Sequence, residues 1–235
     1  MSRQVVLDTE TTGFEWQAGN RIVEIGCVEL LQRRPSGRIF HRYLNPDRAS
    51  EPGALRVHGL SEQFLADQPR FADIVDEFLA FIDGAELIIH NAAFDVGFLD
   101  HELNLLAAGH APIRERCAVL DTQLLARERF PGQRVALDVL CRRLGVDNSH
   151  RSLHGALIDA QLLAEVYLQM TGGQGDLGFA DVLAPSPDRA LPANVAVARR
   201  VQRARPDEVS AHRQRLAEIA RASGGRCRWP GEGEG

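Results

Sequence analysis

Apolar residues recur at regular spacing as far as Met170, and there the regularity stops. Beyond Gly172 the chain turns to Ala, Pro and Gly through about Arg200, with Pro185, Pro187 and Pro192 and no sustained apolar period. Such a segment has no face to bury and reads as a linker. A helical pattern returns from about Asp207 to Ala222, with Pro206 near its start and Gly224-Gly225 after its end. Isolated helices of that length are marginal in water, so this one is not expected to fold alone. The 235 residues therefore divide into a folded domain over 1–173, a linker over 174–205 and a tail over 206–235. One well-buried domain of roughly 150–200 residues plus an appendage fits this length.

Within the domain, residues 4–8 form an apolar run ending in Asp8, and Arg21–Leu31 and Arg38–Leu44 are two further β-like stretches joined by the turn signal Arg34-Pro35-Ser36-Gly37. These read as three antiparallel strands. Phe71, Ile74, Val75, Phe78, Leu79 and Ile82 fall at helical spacing, Glu86–His90 is a short buried strand, and Phe94, Phe98, Leu99, Leu103 and Leu106 mark a second helix. Val119–Asp121 reads as a strand end, Val135–Leu144 as a helix closed by Gly145, and Ala156–Met170 as a long helix. Strands precede and then alternate with helices, the pattern of a mixed α/β sheet.

Composition excludes little. The net charge of −5 argues against a uniformly basic nucleic-acid surface but is compatible with an acidic site that holds cations. Cys27, Cys117, Cys141 and Cys227 are scattered without C-x-x-C spacing, which indicates neither a zinc site nor a disulfide framework. No apolar run approaches a membrane span and the N-terminus lacks a signal-peptide layout, so the cytoplasm is the expected compartment.

Three acidic signals carry the chemistry. Asp8 and Glu10 close the first strand two residues apart, and the strand period of two sends both side chains to one face, at the sheet end where α/β sites form. The alternative is a solvated strand end. Asp95, in Asn91-Ala92-Ala93-Phe94-Asp95, is an acid in an otherwise apolar helix start, so it either faces a cation or is held by helix-terminal donors. His154 and Asp159 are five residues apart, about 140° around a helix. They converge only if His154 lies on the approach loosened by Gly155 and Asp159 points at the sheet from the first turns. A histidine beside carboxylates suits a general base for water. His150 and His154 also form H-x-x-x-H, but hard oxygen donors outnumber imidazoles and favour Mg²⁺ or Mn²⁺ over zinc. A glycosidase-like use of two carboxylates would leave the histidine idle.

In this order, D-x-E, N-x-x-F-D-x-x-F-L and H-x-A-x-x-D resemble the three motifs of the DEDDh 3′→5′ exonuclease family. Asp8 to Gly13, Val57-His58-Gly59 and Ile89 to Asp95 are similar to its proofreading members from bacterial replicative polymerases. The similarity covers about residues 3–180 and resumes in the tail. The resemblance implies an RNase H-like fold, a mixed five-stranded sheet flanked by helices, and two-metal phosphodiester hydrolysis. By motif position, Asp8, Glu10 and Asp159 would hold the ion that activates water, and Asp8 would bridge to a second supported by Asp95. His154 would take the water proton. Thr9 and His58, with Asp8, Glu10 and Asp159, would contact a single-stranded or frayed 3′ DNA end, whereas His90 would be structural. Where the family often has an acid five positions before His58, this chain has Gly53.

Gln174, Leu177 and Phe179 are similar to the Q-x-x-L-x-F pattern of sliding-clamp ligands. The tail, with Leu216, Ile219 and Ala220 as an apolar stripe followed by Cys227 and Trp229, resembles the segment that binds the polymerase catalytic (alpha) subunit. Arg199, Arg200, Arg203, Arg205, Arg213 and Arg215 could instead touch DNA. Two competing readings keep the fold: a standalone RNA-trimming exonuclease, against which the tail argues, and a non-catalytic tether between polymerase and clamp, against which the full set of ligands and base argues.

Overall fold

Val5, Val6 and Leu7 are fully buried because their strand, β1 (Arg3–Thr11), has a neighbour on each side and helices on both faces. These relations come from a computed structural model, which describes residues 3–106, 108–149, 154–172 and 204–224. β2 (Ile22–Leu31) and β3 (Arg34–Tyr43) form an antiparallel meander with β1, while β4 (Glu86–Ile89) and β5 (Val119–Asp121) add in parallel on the other side. The result is a mixed five-stranded sheet in the order β3-β2-β1-β4-β5, as the resemblance implied. A central strand covered on both faces needs apolar residues at odd and even positions alike, which is why Val5 to Leu7 do not alternate.

The two faces bury separate cores. Val5 and Leu7 pack in the cluster that holds α3 (Phe71–Ile82) and α4 (Ala92–Leu105), through residues such as Phe78, Phe98 and Leu99. Val6 packs in the cluster of α6 (Thr122–Arg129), α7 (Leu137–Leu144) and α8 (Ala156–Thr171), through Ala126, Leu140, Leu163 and Val166. By alternation, Asp8 and Glu10 continue the α8 face and Thr9 the α4 face.

Several boundaries differ from the sequence reading. The β2–β3 turn falls on Gln32 and Arg33, both with positive φ (49° and 64°), and not on Arg34 to Gly37. Two-residue hairpin loops of that handedness match strand twist. Pro35 is accommodated within β3 because this strand is at the sheet edge, beside a register shift between Val28 and Leu30. Helix α7 starts at Leu137, two residues after Val135. The short helices α1 (Pro52–His58), α2 (Glu62–Ala66) and α5 (Ile113–Arg116), and α6, were not anticipated; too few turns are present for a period to register.

The described residues fall into two units, the domain and a C-terminal segment. In the latter, α9 (Pro206–Ala222) starts with a capping box between Arg205 and Glu208 and buries none of its side chains.

Candidate active site at the end of the central strand

The C-terminal end of β1 opens into a cavity of about 360 Å³ lined by Asp8, Glu10, Asp95, His154 and Asp159 among others. The α8 side of it is assembled from separate segments. Asp8 pairs across the sheet with Gly26, where a Cβ would overlap the backbone of Ala156 and Leu157. Only a glycine there lets the start of α8 sit directly on the sheet. His154 precedes the helix, with Gly155 as its extended N-cap, and its N–H donates to the Val57 carbonyl at 3.1 Å. Asp159 enters from the first turn and is buried. His154 Nδ1 and Asp159 Oδ2 are 3.4 Å apart, with the His154 side chain 43% exposed. Glu10, His154 and Asp159 each bring a ligand atom within 4.8 Å of one another. Two carboxylates and an imidazole at that separation fit one divalent cation.

On the opposite face, Asp95 is 3% exposed. Its Oδ1 accepts from the Thr9 amide at 3.0 Å and the Thr9 hydroxyl at 2.7 Å. Burial pushes this carboxyl up to about 7, against the pull of the Thr9 donors in the other direction. The Thr9 hydroxyl proton is thus committed to Asp95. Asp95 and the cluster on the α8 face line the same cavity, at the C-terminal end of the central strand β1.

The histidines divide. His58, expected in a surface loop or near a terminal nucleotide, is the last residue of α1 and is buried. Its Nδ1 accepts from the Leu60 N–H at 3.0 Å and its Nε2 has no hydrogen-bond partner among the described residues. Burial lowers its pKa, with Glu24 pulling the other way. Its burial went unread because α1 is too short to announce itself. Its neighbours Ala54 and Val57, not His58, line the cavity. His90 lines the cavity, and its Nδ1 lies 3.0 Å from Thr122 Oγ1. Around Gly53, no atom lies within 4 Å of where a Cβ would be. His150, Gln174, Leu177, Phe179, Arg199, Arg200, Arg203, Cys227 and Trp229 lie outside the described residues.

One acid near the site carried no role in the sequence reading. Asp121, at the end of β5, accepts four backbone N–H groups: Gln123 at 2.8 Å and Leu124 at 3.3 Å from its own helix, α6, and Asn91 at 3.2 Å and Ala92 at 2.9 Å from the start of α4. An Asp before Thr-Gln-Leu-Leu is an N-cap signal for α6. Its second duty, across the sheet, has no sequence signature.

A family model described as Exonuclease (RNase_T) matches residues 5–167. The chain is 48% identical over 238 residues to the DNA polymerase III subunit epsilon of Salmonella typhimurium strain LT2, covering 97% of this chain and 98% of that protein. It is 46% identical over 238 residues to the subunit of the same name from Escherichia coli K12, with the same coverage. For the Rickettsia felis protein of that name, identity is 52% over 172 residues, covering 73% of this chain and 75% of the relative. Among solved structures, exonuclease X in complex with 5′ overhanging duplex DNA aligns at a TM-score of 0.57 and 24% identity, over 73% of this chain and 93% of that one. The nuclease domain of 3′hExo, titled a DEDDh family member bound to rAMP, aligns at 0.59 and 16% identity, over 72% and 91%. These structures share the fold.

Proposed function

This chain belongs to the exonuclease family matched over residues 5–167, and from that premise we propose that it is the 3′→5′ proofreading exonuclease of a bacterial replicative DNA polymerase. The observation that carries the reading is the meeting of Glu10, Asp159 and His154 within 4.8 Å at the end of β1, in a cavity that Asp8 and Asp95 also line. Near-complete alignment with proteins named DNA polymerase III subunit epsilon supports the replicative context, and with it the cytoplasm.

Asp8, Glu10, Asp95 and Asp159 would hold the divalent ions, and their hard oxygen donors favour Mg²⁺ or Mn²⁺. Ions held there would supply positive charge to the attacking and leaving oxygens of an in-line displacement. His154 takes the proton from the attacking water as its oxygen bonds to phosphorus. The bond from phosphorus to the 3′ oxygen of the preceding nucleotide breaks. The leaving 3′ oxygen takes a proton from solvent water, so the products are a nucleoside 5′-monophosphate and a strand with a new 3′ hydroxyl. Asp159, 3.4 Å from His154 Nδ1, stabilises the imidazolium that forms, and the partial exposure of His154 lets it return the proton to solvent. Thr9 keeps the Asp95 carboxylate oriented. Thr9, which lines the cavity, is retained as a contact to the terminal nucleotide, and His58 acts on that nucleotide through Ala54 and Val57 of its own helix, which line the cavity.

Residues 1–173 perform the chemistry, Gln174, Leu177 and Phe179 contact the sliding clamp, and the tail over 206–235 binds the polymerase catalytic (alpha) subunit through Leu216 and Ile219. A tether of this length, on the order of 20–30 residues, would keep the nuclease at about millimolar effective concentration near the growing 3′ end. A mispaired end needs less unpairing than a matched one, whose delivery into the site costs a few kcal/mol. Hydrolysis should therefore be faster on single-stranded and mispaired 3′ ends than on matched duplex ends. Equal rates on all three would count against proofreading, and faster turnover of RNA than of DNA would favour the RNA-trimming alternative. Truncation after Ala180 should preserve turnover on free oligonucleotides and end co-purification with the polymerase subunit.

A further inference from the structure

We propose that Asp121 is a positioning residue for the α4 half of the site, a role that rests on the reading of Asp95 as a ligand to the second ion. Asp121 is hydrogen-bonded on both oxygens. Oδ1 accepts from Gln123, Leu124 and Asn91, and Oδ2 accepts from Ala92. Capping α6 requires one oxygen; the other is spent on a different helix. That helix, α4, needs it. Its N-cap residue, Asn91, is in the left-handed region (φ 66°, ψ 54°) and makes no side-chain cap of its own. At the start of α4 the Phe94 N–H is met by the Asn91 carbonyl, while those of Asn91 and Ala92 are met by Asp121.

Asp95 sits in that first turn. Its carboxylate is gripped by Thr9 on β1, and the backbone beneath it is gripped by Asp121 on β5. β4 and β5, which carry these two turns, share a register of only three residue pairs, ending at Ile89 and Asp121. So short a ladder leaves the angle between the Asn91 turn and the sheet dependent on side-chain bonds. Asp121 supplies them, and so sets how far Asp95 reaches toward Asp8 over the end of β1. Loss of a partner that orients a ligand typically costs about 10–100-fold in metal affinity or activity.

The test uses the full chain and two substitutions. Asp121→Ser keeps an oxygen for Gln123 and Leu124 but is too short to reach Ala92 as well. Asp121→Asn keeps the volume and turns an amide N–H₂ toward one of the two sets of N–H groups. Mn²⁺ is titrated calorimetrically in the presence of a nucleoside 5′-monophosphate, and the Mg²⁺ dependence of hydrolysis is measured on a single-stranded oligonucleotide. Each variant should weaken the weaker Mn²⁺ site by about tenfold or more and raise the half-saturating Mg²⁺ concentration in parallel, the usual scale for a residue that orients a ligand. The tighter site should stay near its wild-type affinity, and excess Mg²⁺ should restore most of the rate. A merely structural cap would lower the thermal midpoint and leave the Mn²⁺ affinities alone. Unchanged affinities in both variants, or in Asp121→Asn should Asp121→Ser fail to fold, would overturn the proposal. Asp95→Ala separates the two levels. Two intact Mn²⁺ sites in Asp95→Ala would remove the ligand reading itself, whereas loss of the weaker site there with normal binding in the Asp121 variants would remove only the positioning role.

Discussion

On the α8 face of β1, Glu10, Asp159 and His154 come from a strand, a helix and the segment between, and meet because α8 is seated against Gly26. On the α4 face, Asp95 is a single carboxylate held by both the amide and the hydroxyl of Thr9 and buried to the point where its pKa reaches about 7. The first arrangement gathers like charges and calls for a cation to offset them. The second can lose its charge by taking up a proton, and is ordered before any cation arrives. A site assembled in this way should be brittle on one face and locally buffered on the other.

The largest expected effect tests the assembled face. Asp8→Ala or Asp159→Ala should abolish hydrolysis at saturating Mg²⁺ while the thermal midpoint in chelator does not fall, since deleting one carboxylate relieves repulsion in the metal-free cluster. Wild-type rates in Asp8→Ala would show that the first strand does not carry a ligand. His154→Ala should lower the rate by about 10²–10⁴, the usual share of general acid–base catalysis, with metal binding retained. Survival of the acidic limb of the pH–rate profile in that variant would assign the proton acceptor elsewhere.

Seating of α8 is probed by Gly26→Ala. The added methyl meets backbone, which cannot swing aside, so stability should fall by about 1–3 kcal/mol. Displacement of His154 and Asp159 by a fraction of an ångström to an ångström should cost up to about 10² in rate. Gly53→Ala, with no atom within 4 Å of the new methyl, is the matched control; an equal loss in both would mean that the close approach at Gly26 is not what matters.

The remaining test, on the α4 face, is read in metal-free protein and leaves hydrolysis out. Because the folded pKa of Asp95 is raised to about 7 from an ordinary 3.8, the metal-free folded state holds more protons than the unfolded chain between those values. Its stability therefore falls as pH rises from about 4 to about 7, by at most about 4 kcal/mol if the whole shift is realised. Thermal melting in chelator should record this slope, and Asp95→Asn should flatten it. A slope unchanged in Asp95→Asn would place the titrating group elsewhere.

Much of this was legible in the sequence for a simple reason: β1, α3, α4 and α8 are long or apolar enough for their periods to register. The strand period put Asp8 and Glu10 on one face, and the helical period required His154 to lie before α8 if it was to approach Asp159. The β2–β3 turn was misread because Pro and Gly are strong turn residues, yet an edge strand tolerates both and the left-handed positions went to Gln32 and Arg33. The burial of His58 was not legible because α1 spans seven residues, too few turns for a period to register.

What the sequence determined by itself is therefore local: which of the longer segments are strand or helix, and which acids share a face. Those follow from backbone periodicity and from the cost of burying charge, both of which act between near neighbours in the chain. Only the tertiary structure decided that Gly26 is the seat of α8, that Asp95 reaches the site from the opposite face through Thr9, and that Asp121 serves two helices at once. Each of these is a contact between residues 29 to 130 positions apart, and no spacing along a chain records which distant backbone a given side chain will meet.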